Sequence, residues 1–341
     1  MKKKIISIFF AILAAALYAI NMPCSKLLLE NVNPTMMAAF LYLGAGIGIG
    51  ILFLFIRKKE TTYEKIEKKD IKYVIGMIVL DIAAPILLMF GLKASDSSSA
   101  SLLNNFEIVA TSLIALFIFK ERISKKMWIA IALVTLSSFF LSIEDITIFK
   151  FSLGSILVLL ATLCWGLENN CTRNLSSKNT YEIVFLKGIF SGLGSLIIAF
   201  CIGEKIPSKV LYILLAMLLG FVAYGLSIFF YIKAQKELGA SKTSAYYSVA
   251  PFIGTFLSFI ILHEKINYSY FIGLVIMIIG AIIIVIDTLS VTHTHEHTHV
   301  IKVMENGVEV EKTITHTHEH THFVNMNNHP YIVKSHIKNT K

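Results

Sequence analysis

Phe119-Lys120-Glu121-Arg122-Ile123-Ser124 recurs 143 residues later as Leu262-His263-Glu264-Lys265-Ile266-Asn267. In both places a long apolar run, preceded by a Ser/Ala-rich stretch, stops on a charged turn. Tyr18-Ala19 and Trp165-Gly166 match at an offset of 147, as do Cys24-Ser25-Lys26 and Cys171-Thr172-Arg173. Polar residues that repeat at matching span ends mark two copies of one unit.

Around these landmarks the apolar blocks run 5–22, 35–56, 72–92, 98–119, 127–143, 152–171, 182–203, 209–232, 244–262 and 269–287. Each is about the 20 residues needed to cross some 30 Å of hydrocarbon. Ten such blocks predict an all-α polytopic membrane protein of ten transmembrane helices. Five spans per copy is an odd number, so the second copy enters the membrane upside down relative to the first. Residues 1–145 and 146–288 are thus expected to be two inverted five-helix repeats, with 289–341 a separate tail. Inverted repeats of this kind are shared by many secondary carriers, in which one half rocks against the other around a site near the midplane.

Composition agrees with this reading. Hydrophobic residues make up 55% of the chain and charged ones 16%, and the mean hydropathy is +0.71, so lipid is the expected solvent. The net charge of +9 reflects topology and not a nucleic-acid partner. The N-terminus and the loops after even-numbered spans hold 19 Lys and Arg, including Arg57, Lys58, Lys59, Lys65, Lys68, Lys69 and Lys72, against six in the other loops. The positive-inside rule then places both termini in the cytoplasm and the protein in the cytoplasmic membrane. The start of the chain reads as a retained first helix rather than a cleaved signal peptide. Four scattered cysteines show no CxxC pair. No GxSxG, HExxH or Walker loop is present, which disfavours a membrane enzyme or an ATP-driven pump.

Leu103-Asn104-Asn105-Phe106-Glu107, followed by Leu113 to Phe119 and the charged turn, resembles the fourth-helix signature of the EamA family of the drug/metabolite transporter superfamily. Val249-Ala250-Pro251-Phe252-Ile253-Gly254 with His263-Glu264-Lys265-Ile266 resembles its ninth-helix equivalent. The resemblance covers residues 1 to about 287. It implies a bundle of two inverted repeats around a central cavity lined by helices one, three, four, six, eight and nine. It also implies export or exchange of amino acids, nucleotide-linked metabolites or toxic small molecules, with no cofactor. Where many members carry Glu-Pro in helix four this chain has Glu107-Ile108, so the kink a proline would impose is expected to be missing.

Ionisable side chains within a bilayer are costly unless paired or hydrated, so they mark sites. Asp81, Glu107, Glu168 and Lys187 qualify. Glu107, one turn beyond Asn104 and close to Asn105, gives helix four a polar stripe suited to an ammonium or amide group, or to proton coupling. The alternative is interhelical bonding to a backbone group or to Lys187. Asp81 is either a partner of Lys187 or a substrate or proton site. Glu168-Asn169-Asn170 beside Trp165 offers an aromatic wall with a polar tip, or an interface anchor. Tyr18 and Asn21 occupy matching places in helix one, and Tyr246 and Tyr247 open helix nine as belt or cavity residues.

The tail has a chemistry of its own. Thr292-His293-Thr294-His295-Glu296-His297-Thr298-His299 recurs residue for residue at Thr315-His316-Thr317-His318-Glu319-His320-Thr321-His322. Between the copies lies Asn306-Gly307, a strong hairpin signal. A two-residue turn there sets His297 opposite His316, His295 opposite His318 and His293 opposite His320, all on one face. Neutral imidazoles suit Zn, Ni, Co or Cu, with binding coupled to folding of an otherwise marginal hairpin. A disordered solvated tract is the alternative.

The expected function is a secondary transporter that exports a small organic metabolite such as an amino acid, with a metal-binding tail that regulates it. A carrier of transition metal or of a metal-chelating metabolite, and a membrane-bound metal sensor, are the competing readings.

Overall fold

The computed structural model describes residues 2–56, 66–119, 123–145, 150–175, 178–238, 243, 246–265, 268–305 and 308–323. The charged loop at 57–65, the Lys120-Glu121-Arg122 turn and Asn306-Gly307 lie outside them. The helices are α1 Lys2–Ala19, α2 Asn21–Leu28, α3 Pro34–Ile56, α4 Ile71–Ala94, α5 Ser97–Leu103, α6 Phe106–Phe119 and α7 Lys125–Ser142. They continue as α8 Leu153–Asn174, α9 Thr180–Leu186, α10 Gly192–Cys201, α11 Val210–Gly220, α12 Ser227–Leu238, α13 Ala250–Leu262 and α14 Tyr268–Leu289. Two compact units result, Met1–Val285 and Ile286–Lys341.

Among the described residues eight helices are long and apolar enough to cross a membrane: Ile5–Leu28, Pro34–Phe55, Lys68–Ala94, Ser97–Ile118, Leu153–Thr172, Thr180–Cys201, Val210–Ala234 and Tyr268–Asp287. The other two expected spans correspond to α7, an 18-residue helix that opens with two lysines, and to α13, which has only 13 residues. The ninth segment, expected over 244–262, is helical at Tyr246-Tyr247, interrupted by a turn, and resumes as α13 to Leu262. Pro251 sits in the first turn of α13, where its missing N–H costs nothing, and Ser248-Val249 form a turn before it.

The fourth segment corrects an expectation. Without a proline, the helix still breaks at Asn104-Asn105. Backbone bonding there drops to three-residue spacing, with the N–H groups of Asn105, Glu107 and Ile108 donating to the carbonyls of Leu102, Asn104 and Asn105. Asparagine side chains compete with helical backbone bonding, which explains a break where helix was expected to continue.

Helices seven and eight each carry one wide turn of π-helix, Lys187–Ser191 between α9 and α10 and Phe221–Leu226 between α11 and α12. Helix α3 fits against both through glycines. A Cβ on Gly46 would meet the Ile189 nitrogen at 2.6 Å, and one on Gly44 would strike the Met217 carbonyl. Small residues at such crossings let backbones approach in a membrane bundle.

At one end of the bundle, charged side chains close helix termini, two of them reaching across to the other copy and one staying within its own. Glu264 accepts from the N–H groups of Ser97 at 2.6 Å and Ser98 at 2.9 Å, and Glu204 from those of Thr35 at 3.2 Å and Met36 at 2.8 Å. The Lys26 ammonium donates to the carbonyls of Leu92 at 2.7 Å, Lys93 at 3.3 Å and Ser95 at 2.6 Å. Both arrangements satisfy groups that a helix leaves unpaired, with the sign its dipole favours. A short antiparallel link, β1 Ile143–Asp145 with β2 Lys150–Phe151, joins α7 to α8.

In the second unit β3 Ser290–Glu305 pairs antiparallel with β4 Val308–Phe323. His293 is opposite His320, His295 opposite His318 and His297 opposite His316. His299 and His322 fall opposite Ile314 and Val291. The histidine side chains themselves lie outside what is described.

Candidate substrate site

Lys187 opens the first π turn, and its ammonium lies 3.2 Å from Asp81 Oδ2 and 2.8 Å from Glu168 Oε1. The three side chains come from helix seven, α4 and α8 and are buried, at 12%, 1% and 3% exposure. Buried charges persist only when paired and hydrogen-bonded, and here they are. The Tyr42 hydroxyl donates to Asp81 Oδ1 at 3.0 Å, and the Thr172 hydroxyl donates to Glu168. Trp165 is buried. The Asp81–Lys187 pair open as one alternative in the sequence therefore exists, with Glu168 as a third member.

Glu107 stands apart from that triad. Its Oε1 accepts from the Asn169 amide at 2.6 Å, and the same amide reaches Thr111 at 3.3 Å. Neither alternative partner, backbone or Lys187, is the one used, because Lys187 is occupied by Asp81 and Glu168. The contact is possible because α6 and α8 cross at Gly166, where a Cβ would come within 2.7 Å of Ala110.

Tyrosines connect the two carboxylate groups. Ring centroids are 5.3 Å apart for Tyr42 and Tyr224, 5.8 Å for Tyr224 and Tyr18, 5.9 Å for Tyr18 and Tyr247, and 5.1 Å for Tyr247 and Tyr231. Asn21 donates to the Tyr224 hydroxyl at 3.1 Å and Asn104 to the Tyr18 hydroxyl at 2.9 Å, and Ser227 and Tyr247 share a bond at 3.4 Å. Tyr18, Glu107, Asn169 and Tyr247 keep part of their surface open. Asn104 Oδ1 and Asn105 Nδ2, at the helix break, are buried without a hydrogen-bond partner.

Most sequence-predicted residues of the bundle thus enter one connected network. Asp81, Glu168 and Lys187 meet, Tyr18, Asn21, Asn104 and Tyr247 meet, and Trp165 and Glu107 lie beside them. Sequence reasoning missed Tyr42 and Tyr224. The one available signal for Tyr224 was its place between Gly220 and Gly225, inside a run that is otherwise apolar. No group of three or more His, Cys, Asp or Glu suited to a metal ion occurs among the described residues.

The model of the EamA-like transporter family matches residues 5–143 and again 152–286. The chain belongs to the EamA-like transporter family. As an EamA protein it falls in the drug/metabolite transporter superfamily. It is 26% identical over 290 residues to an uncharacterized transporter of Methanothermobacter thermautotrophicus, covering 80% of this chain and 84% of that one. Uncharacterized transporter YyaM of Bacillus subtilis is 24% identical over 227 residues, covering 64% and 74%. YoaV of the same organism is 24% identical over 267 residues, covering 75% and 88%. A crystal structure at 14% identity shares the fold with a TM-score of 0.60, over 81% of this EamA chain and 94% of its own. These likenesses make the protein a multi-pass membrane transporter whose surroundings are the lipid bilayer and whose cargo is a small molecule.

Proposed function

We propose that this chain is a secondary transporter that exports a small organic metabolite such as an amino acid. It would do so by alternating access between two inverted five-helix repeats, residues 1–145 and 146–288. The observation that carries the reading is the Asp81–Lys187–Glu168 triad, which draws one member from the first repeat and two from the second. A charge network that bridges the two halves can re-form differently when one half rocks against the other. The break at Asn104-Asn105, and the turn before Pro251 in the other copy, supply discontinuous helices at matching places in the two copies. The loop charges support cytoplasmic termini and residence in the cytoplasmic membrane.

Reconstituted protein is expected to exchange labelled amino acids across proteoliposomes, and no flux of any organic solute would sink the reading. Glu107→Gln is expected to flatten the pH dependence of that flux. An unchanged profile removes Glu107 from proton coupling.

For the tail, the proposal is a regulatory site for Zn, Ni, Co or Cu built from His293, His295, His297, His299, His316, His318, His320 and His322. The register that faces three histidine pairs across β3 and β4 supports it. Equilibrium dialysis against Zn is expected to show uptake by the full chain and none by a chain ending at 288. His295→Asn and His318→Asn are expected to weaken binding non-additively; independent losses argue against shared ions.

A further inference from the structure

The charges in the middle of the bundle do not balance. Among the described residues Asp81, Glu107 and Glu168 are three carboxyl groups against one ammonium, Lys187, which is spent on the first and third. Glu107 holds a single hydrogen bond from Asn169 and keeps part of its surface open. One helical turn before it, Asn104 is 6% exposed. Its amide nitrogen is committed to the Tyr18 hydroxyl, while Oδ1 has no hydrogen-bond partner. An unpaired buried acceptor costs about 1–3 kcal/mol unless something donates to it.

A partner that carries hydrogen-bond donors and positive charge would serve both Glu107 and Asn104 Oδ1. The walls narrow it further, because the rings of Tyr18, Tyr224 and Tyr247 stand side by side, 5.8 and 5.9 Å between centroids. Aromatic faces attract an organic cation and pack against its carbon skeleton. A bare hard cation would instead want five or more oxygens, and among the described residues the acceptors at hand are the half-buried Glu107 and the buried, unpartnered Asn104 Oδ1.

We propose that Glu107 and Asn104 form the recognition point for a primary ammonium group, so that the cargo is an amine or amino acid whose ammonium docks on helix four against the tyrosine wall. This rests on the transport reading for the word cargo, and on the geometry alone for the site.

The test uses full-length protein in detergent carrying Trp128→Phe, which leaves Trp165, one turn before Asn169, as the only tryptophan. Its fluorescence is followed while 2-phenylethylamine, 2-phenylethanol, 3-phenylpropionate and sodium chloride are added separately. The amine is expected to give a saturable change at least tenfold tighter than the alcohol. Glu107→Gln is expected to weaken the amine tenfold or more while leaving the alcohol unchanged, with Glu30→Gln as an unaffected control. Should Glu107→Gln fail to fold, Asn104→Ala carries the same comparison, with a threefold or greater loss for the amine alone. The proposal is overturned if the alcohol or the carboxylate binds as tightly as the amine, if sodium gives the same saturable change, or if none of the four binds. Amine binding with no solute flux in proteoliposomes would remove the transport reading and keep the site. Flux of neutral or acidic solutes without amine binding would do the reverse.

Discussion

Lys187 lies between two carboxylates, and its removal should be felt at once. Lys187→Met leaves Asp81 and Glu168 buried and facing each other, at a cost of about 3–5 kcal/mol. Thermal unfolding in detergent measures the loss. Adding Asp81→Asn to that variant should recover part of it, and a double variant no more stable than the single would mean the pair is not coupled. Asp81, Glu168 and Lys187 could each be singled out from sequence because an ionisable residue inside an apolar run stands out by its desolvation cost alone. Asp81–Lys187 was an open pairing, but that Glu168 joins them was not read. Tyr42 and Tyr224 could not be read so, since a tyrosine in a span fits the membrane interface as well as the interior. The partner of Glu107 was missed for a related reason: Asn169 is one of two adjacent asparagines, and only the crossing at Gly166 decides which one reaches across.

At the scale of elements, eight of the ten spans expected from hydropathy are matched by helices long and apolar enough to cross a membrane, while the irregularities inside spans did not follow from hydropathy. A window average cannot register a break that costs two backbone bonds, or a π turn that adds one residue. The break at Asn104-Asn105 makes a specific prediction. Ile108 occupies the first turn of α6, and its counterpart 143 residues on is Pro251 in the first turn of α13. Ile108→Pro removes only the N–H bond to the Asn105 carbonyl, 3.1 Å long, and should cost about 1 kcal/mol. Leu113→Pro, in the middle of the same helix, should cost about 3 kcal/mol or more. Equal losses in the two variants would mean that α5 and α6 act as one continuous helix.

For the whole molecule, the two compact units imply that the bundle does not need the tail to fold. A chain ending at 288 is expected to unfold at the same temperature as the full chain; a drop of several degrees would show that the tail contributes to the bundle. The doubled sequence was readable because each copy keeps polar marks at its ends, and the family model matches each copy separately. The π turns carry a last consequence, for the tolerance of these spans to small deletions. Each wide turn holds one residue more than an α-helix of the same length. Loss of one codon within 188–191 or 222–226 would therefore leave a helix still long enough to cross the bilayer and still fully apolar to any hydropathy scan. Because the wide turn is what accommodates the surplus residue, its loss closes an ordinary α turn and keeps the flanking segments nearly in phase, whereas the same loss in a regular stretch of these spans would turn everything on one side by about 100° relative to the other. Single-residue deletions outside the wide turns, more than those within them, would yield protein that inserts and accumulates normally yet carries nothing.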